Sequence, residues 1–230
     1  HFNSLSLGAA CALLGLTGTQ ASALELSDLS NADASKGLKT ALEKGALSAI
    51  SILGAQDGFL GNDKVRIPLP GFLNDAAGLL RTFGQGDRLD ELLTAMNRGA
   101  EQAVPMAKGL LMDAVRTMSL TDAKGILTGG QTAVTTFFED KTRSALGIKF
   151  LPIVSQATEK VGLVEKYNQL AGKAAGMGLM NRDDANIQQY VTGKTLDGLY
   201  FMIAEEEKKI RANPVGYGSA ILSKVFGALK

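Results

Sequence analysis

Between Asp87 and Met118 one apolar set recurs without a gap: Leu89, Leu92, Leu93, Met96, Ala100, Ala103, Val104, Ala107, Leu110, Leu111, Ala114, Val115 and Met118. Every step is one, three or four residues, which puts the set on a single helical face. Arg88, Glu91, Arg98, Glu101, Lys108 and Arg116 mostly fall between those positions. At about 1.5 Å per residue the stretch reaches roughly 45 Å, enough to cross a domain. The fold must therefore accommodate a helix buried along most of its length. Pro105 predicts a kink midway, because proline lacks the N–H and crowds the preceding turn.

The next passage, Ser119 to Thr132, is the most individual in the chain. Ser119 with Asp122 three residues on predicts an N-cap and an acidic first turn. A short helix then runs to Leu127 and stops at Gly129-Gly130, where the spacing predicts positive φ. Thr128 or Gly130 opens another helix through Ala133, Val134, Phe137, Phe138 and Ala145, ending near Leu146-Gly147. Two helices joined by such a bend are antiparallel or sharply crossed.

Elsewhere the periodicity is again helical. Ser30 to Asp33 caps a helix to Leu53, buried through Leu38, Ala41, Leu42, Ala46, Ala49, Ile50 and Leu53. Ala55 to Gly71 is a long connection whose tail, Val65-Arg-Ile-Pro-Leu-Pro70, alternates apolar residues but carries two prolines, so it is extended or an edge strand. Asp57, Asn62 and Asp63 lack the EF-hand spacing and its final Glu, and a solvated loop pinned by Phe59 and Leu60 is the better reading. Further helices follow over Phe72–Phe83, Phe150–Val161, Leu163–Ala175 and Asp184–Ala212. Gly193 or Gly198 is a candidate bend in the last of these. Glu205 to Arg211 reads as a solvated end self-paired through Glu205–Lys209 and Glu207–Arg211. Ser219 caps a final amphipathic helix. The expectation is all-α: a single-domain irregular bundle of eight to ten helices around the kinked central one, with one extended Pro/Gly-rich loop.

Composition narrows the chemistry. The 230 residues are 45% apolar, and 24 basic against 23 acidic residues give a formal charge of +1, no footprint for nucleic acid. Leu5 to Thr19 is apolar or small, and Ala21-Ser22-Ala23 has the form of a signal peptidase site, so residues 1–23 are expected to be a cleaved secretory signal whose start is truncated at His1. Envelope lipidation or an N-terminal membrane anchor is the alternative. The only His and the only Cys, His1 and Cys11, fall in that segment. Residues 24–230 then form one domain without disulfides, Cys/His zinc sites, imidazole bases or thiol nucleophiles. No metal or cofactor is expected.

Three patterns invite a functional reading. Gly193-Lys194-Thr195 lacks the glycine that a P-loop needs five residues earlier, where Gln188 stands, and also lacks a preceding strand. Asp122 and Lys124 with the Thr128-Gly129-Gly130 bend form a candidate anion site of backbone N–H groups at a helix N-terminus. Arg98 and Glu101, on the polar side of the central helix near Asn97, Asp113 and Arg116, are expected to share a cleft with that corner. No residue is assigned a catalytic role.

Phrases spread along the chain carry a resemblance. They are Leu29–Leu38, Gly58–Pro70, Asp122–Gly130, Phe150–Val154, Ala185–Ile187, Leu196–Tyr200 and Ile203–Arg211. Together they resemble the bacterial domain-of-unknown-function family DUF4197 over residues 25–229. The resemblance implies a Gram-negative envelope protein with a signal peptide and a helical fold, and brings no activity, cofactor or catalytic residue. The expected function is a non-enzymatic periplasmic binding protein, soluble after cleavage, for a partner protein or an apolar small molecule. The alternative is a hydrolase or lyase using Glu101 or Asp122 with Lys124 or Arg98.

Overall fold

A computed structural model describes residues 31–182 and 184–213. The signal-like segment 1–23 and the helix expected after Ser219 lie outside those residues. The helices are α1 (Asn31–Leu53), α2 (Gly71–Thr82), α3 (Gly86–Ala103), α4 (Ala107–Arg116), α5 (Leu120–Thr128), α6 (Ala133–Thr158), α7 (Gly162–Gly176) and α8 (Ile187–Ala212). A 3-10 turn, Val104–Met106, joins α3 to α4. Among the described residues there are thus eight α-helical segments and no strand, or seven if the central rod is counted as one interrupted helix. The fold is an all-α single domain.

The α3–α4 rod is buried as its periodicity requires. Leu89, Leu92, Met96, Ala100, Ala103, Val104, Ala107, Leu111 and Val115 are inaccessible, and Leu93 and Leu110 are partly covered. Pro105 sits in the 3-10 turn, where its missing N–H interrupts the α-helical ladder. The rod packs on α1 and α6, and α8 packs on α6, α1 and α3.

The break expected at Leu146-Gly147 is absent: α6 runs unbroken for 26 residues, with Pro152 inside. Its buried stripe, Val134, Phe138, Thr142, Leu146, Phe150, Val154 and Thr158, advances four residues at a time. Each step drifts about 40° around the axis. The stripe therefore winds from one flank to another, and α6 serves both α8 and α3. Pro152 is exposed, and Ile148, whose carbonyl loses its donor, lies 75% exposed, so water can take that bond. Helix α8 is likewise continuous through Gly193 and Gly198.

The connection 55–70 is a structural layer more than a solvated loop. Phe59, Val65, Ile67 and Leu69 are buried, alternating with exposed Arg66 and Pro68 in the extended tail. Asn97 acts as that tail's strand partner: its Oδ1 accepts from Ile67 N (2.8 Å) and its Nδ2 donates to Ile67 O (2.9 Å). Phe59 is inaccessible and packs where α8 has no side chain. A Cβ built on Gly198 would lie 2.7 Å from Phe59 Cε1.

Candidate functional site

The residues singled out in sequence separate into two groups that the fold uses differently. Glu101 is 5% exposed, and its Oε1 accepts from the amides of Phe59 and Leu60, both at 3.1 Å. Its Oε2 accepts from the Arg98 guanidinium at 2.6 Å, and Arg98 reaches on to Asp57 Oδ1 at 2.8 Å. Those two carboxylates hold the Arg98 pKa above its ordinary value. Glu101, Arg98 and Asp57 thus fasten the 55–70 connection to α3. Asp57 sits within that clasp at φ 64°, a region unusual for a residue with a side chain.

The α5–α6 corner is fastened from a different direction. Ser119 caps α5: its hydroxyl accepts from Asp122 N at 3.0 Å and donates to Asp122 Oδ2 at 2.8 Å, and its amide donates to the same oxygen. Ser119 therefore holds the Asp122 carboxyl below the usual range, and Lys141 adds a smaller effect at 4.0 Å. The corner does not turn through positive φ as expected. Gly129 is extended, φ −78° and ψ 170°, and the described glycines with positive φ are Gly84 and Gly178. Glycine is needed at 129 for space: an added Cβ would lie 2.7 Å from both Ala133 Cβ and Gly125 O. Thr128 donates back to Lys124 O, and Lys124 itself is exposed.

The anion position at the α6 N-terminus is taken by a side chain of the protein. Glu207, 4% exposed on α8, accepts from Val134 N, Thr135 N and Thr135 Oγ1, each at 3.2 Å. Arg211 donates to Glu207 Oε1 at 3.0 Å and to the Ile126 carbonyl near the end of α5 at 3.2 Å. One carboxylate and one guanidinium thus complement the facing ends of α6 and α5. The Glu205–Arg211 run is correspondingly not a solvated face. Glu206 and Glu207 are buried, Glu206 bonds Lys209, and Glu205 bonds Lys64 and Lys208.

Beside the corner lies an open cleft of about 370 Å³ lined by Asp122, Gly125, Ile126, Ala133, Thr136, Phe137, Asp140 and Lys141. Lys124, Thr128, Gly129, Gly130, Arg98 and Glu101 do not line it. The structure thus places the two groups of candidates in separate environments.

A larger cleft lies where the sequence reading placed no site. Helices α2 and α7 and the segment before α8 enclose about 600 Å³ between Gly71, Phe72, Asp75, Leu170, Ala171, Ala174, Leu179, Met180, Asn181 and Asp184. Phe72 is 59% exposed, Leu170 61% and Leu179 74%. Leu170 points out, while Val164, Tyr167 and Ala171 form the buried face of α7. Helix α2 buries one side chain, Leu73. Its Phe72, Leu79 and Phe83 stand seven and eleven residues apart, which at 100° per residue is within about 20° of one line. The available signal was this stripe, on a helix too short to bury both faces. The helices flanking the cleft end alike. Gly84 and Gly178 take φ 74°, and bonds from Gln85 N to Leu80 O and from Leu179 N to Ala174 O close Schellman turns.

Among the described residues no three His, Cys, Asp or Glu side chains converge to hold a metal, and no helix is long and apolar enough to cross a membrane. Fold and clefts together define a helical domain with a mostly apolar cleft between α2 and α7, lined by two carboxylates, Asp75 and Asp184, and no basic side chain. The family model for a protein of unknown function, DUF4197, matches residues 28–227, and the chain belongs to that family. Comparison with curated proteins and with solved structures gives no match.

Proposed function

We propose that the protein is an exported, non-enzymatic binding protein whose α2–α7 cleft receives an amphipathic helix of a partner protein, with basic residues beside its apolar face. The observation that carries this reading is the exposure of Phe72, Leu170 and Leu179 around one cleft. Leu79 and Phe83, 63% and 71% exposed, extend the apolar stripe along α2 beyond the cleft. A ridge of that form suits a helix better than a compact small molecule. The charged residues in the lining are Asp75 and Asp184, so a basic flank fits and an acidic one is repelled. The carboxylate-based alternative draws less support, because Glu101 is engaged by backbone amides and Asp122 by its cap. Export is inferred from the signal-like residues 1–23, and mature protein from a Gram-negative host should begin at Leu24.

Titration with a synthetic Leu/Lys amphipathic helix, against a Leu/Glu helix of equal length, tests the cleft. The basic peptide should shift NMR resonances of Phe72, Leu170 and Leu179. The double substitution Phe72→Ser and Leu179→Ser should weaken binding at least tenfold while leaving the melting temperature unchanged. Equal binding of the acidic peptide, or indifference to the double substitution, refutes the reading. Sedimentation showing dimers that the same substitution dissolves would assign the cleft to a second copy instead.

A further inference from the structure

A third concavity, about 420 Å³, lies between the extended tail and α8. Alternation along the tail dictates what faces it. With Val65, Ile67 and Leu69 turned inward, Arg66 and Pro68 are turned out. Tyr190 donates its hydroxyl to Pro68 O at 3.1 Å, and Asn97 holds Ile67 on both its amide and its carbonyl, so the wall carrying Arg66 is fixed. Opposite stand Lys194, whose Nζ lies 5.9 Å from the Tyr190 ring centroid, and Phe201, 40% exposed.

The charges around this cleft are unevenly satisfied. Lys64 is paired with Glu205 at 3.1 Å. Asp197, the one acidic residue in the lining, is bound by Arg143 at 2.5 Å and lies 3.8 Å from Lys194. The Arg66 amide donates to Asn62 O at 2.8 Å, but among the described residues its guanidinium has neither a hydrogen bond nor an ion pair. A planar guanidinium with all its donors unfilled, on a fixed extended segment beside an exposed aromatic ring, is suited to a carboxylate or phosphate joined to an apolar body. The volume lies within the roughly 300–1,000 Å³ of small-molecule sites.

We propose that the cleft between residues 64–68 and α8 binds a small anionic amphiphile, its head on Arg66 and Lys194 and its body against Phe201. This site is separate from the α2–α7 cleft, and its failure would leave that reading untouched. The probe is laurate below its micellar concentration, titrated calorimetrically into the purified protein. One site should saturate, Arg66→Ala should weaken it about tenfold, the expected loss for one charge-assisted contact, and Phe201→Ser should weaken it as well. Arg88→Ala, an exposed cation outside the cleft, should change nothing, and all variants should keep the parental circular dichroism. Dodecyl maltoside, apolar but uncharged, and inorganic phosphate, charged but without a body, should each bind far more weakly. Equal binding of either, or indifference to Arg66→Ala, overturns the proposal, as does the absence of both laurate binding and flotation with phosphatidylglycerol vesicles. Flotation that depends on Arg66 would assign the head to a bilayer lipid; laurate binding without flotation would assign it to a free amphiphile.

Discussion

Two adjacent glycines at the α5–α6 corner meet different constraints. The Cβ of an alanine at 129 would sit 2.7 Å from two atoms, one of them a backbone oxygen, whereas nothing lies within 4 Å of one at 130. Gly129→Ala should therefore cost about 1–3 kcal/mol, the usual range for forced overpacking, and Gly130→Ala should be neutral in the same urea denaturation series. Sequence alone marks both as turn residues and cannot rank them, because the distinguishing atoms belong to Ala133 and Gly125. Gly198 shows the same limit more sharply. In sequence it is a weak point in a helix; in the structure it is the space that Phe59 fills, a contact between residues with no periodic relation. By contrast, the Ser119–Asp122 cap is local and was legible from spacing. It predicts a pH dependence with a definite sign. The Asp122 carboxyl is held low by Ser119, so its contribution is complete above the unfolded value of about 3.9 and is lost as pH falls through its folded value. Thermal melts should show Ser119→Ala destabilised by about 1 kcal/mol at neutral pH, with a shallower decline than the parent below about pH 4.

At the scale of elements, the polar fasteners outrank any single helix. Glu207 serves two amides and a hydroxyl of α6 and the guanidinium of Arg211, all in a setting that leaves it almost no water. Glu207→Ala should cost about 3–5 kcal/mol in urea denaturation, the penalty for leaving one member of a buried pair behind, and Glu207→Gln should cost less. Periodicity revealed where α1, α5 and the central rod lie, since each keeps one face toward the core. It split α6 in two because a stripe stepping by four winds around the axis and weakens any single-face pattern. It also read Glu205–Arg211 as solvated, since whether a charge faces water or a helix end is decided by the partner element.

Taken whole, the domain is firm at the α3–α4, α6 and α8 centre and thinly attached at α2, which packs on α3, buries the single side chain Leu73 and pairs Arg81 with Asp90. Few buried contacts mean a low cost of local opening. Hydrogen exchange should therefore release α2 amides well before those of α6 and α8, and the basic helical peptide should slow them; uniform exchange would contradict so weak an attachment. The larger cleft was illegible for the same reason that α2 is loose. Its apolar side chains look like core residues until the tertiary structure shows that nothing covers them.

The Glu207 fastener has a consequence for the order of events in folding. Its carboxylate lies 73 residues from Val134 along the chain, so α6 is synthesised long before the group that completes its first turn. A chain cut before α8 would leave Val134 and Thr135 without an acceptor, and closing so long a loop is slow compared with forming α5 or α6 locally. The α5–α6 corner should be among the last parts to settle, its final order reporting that the chain has been made to the end of α8.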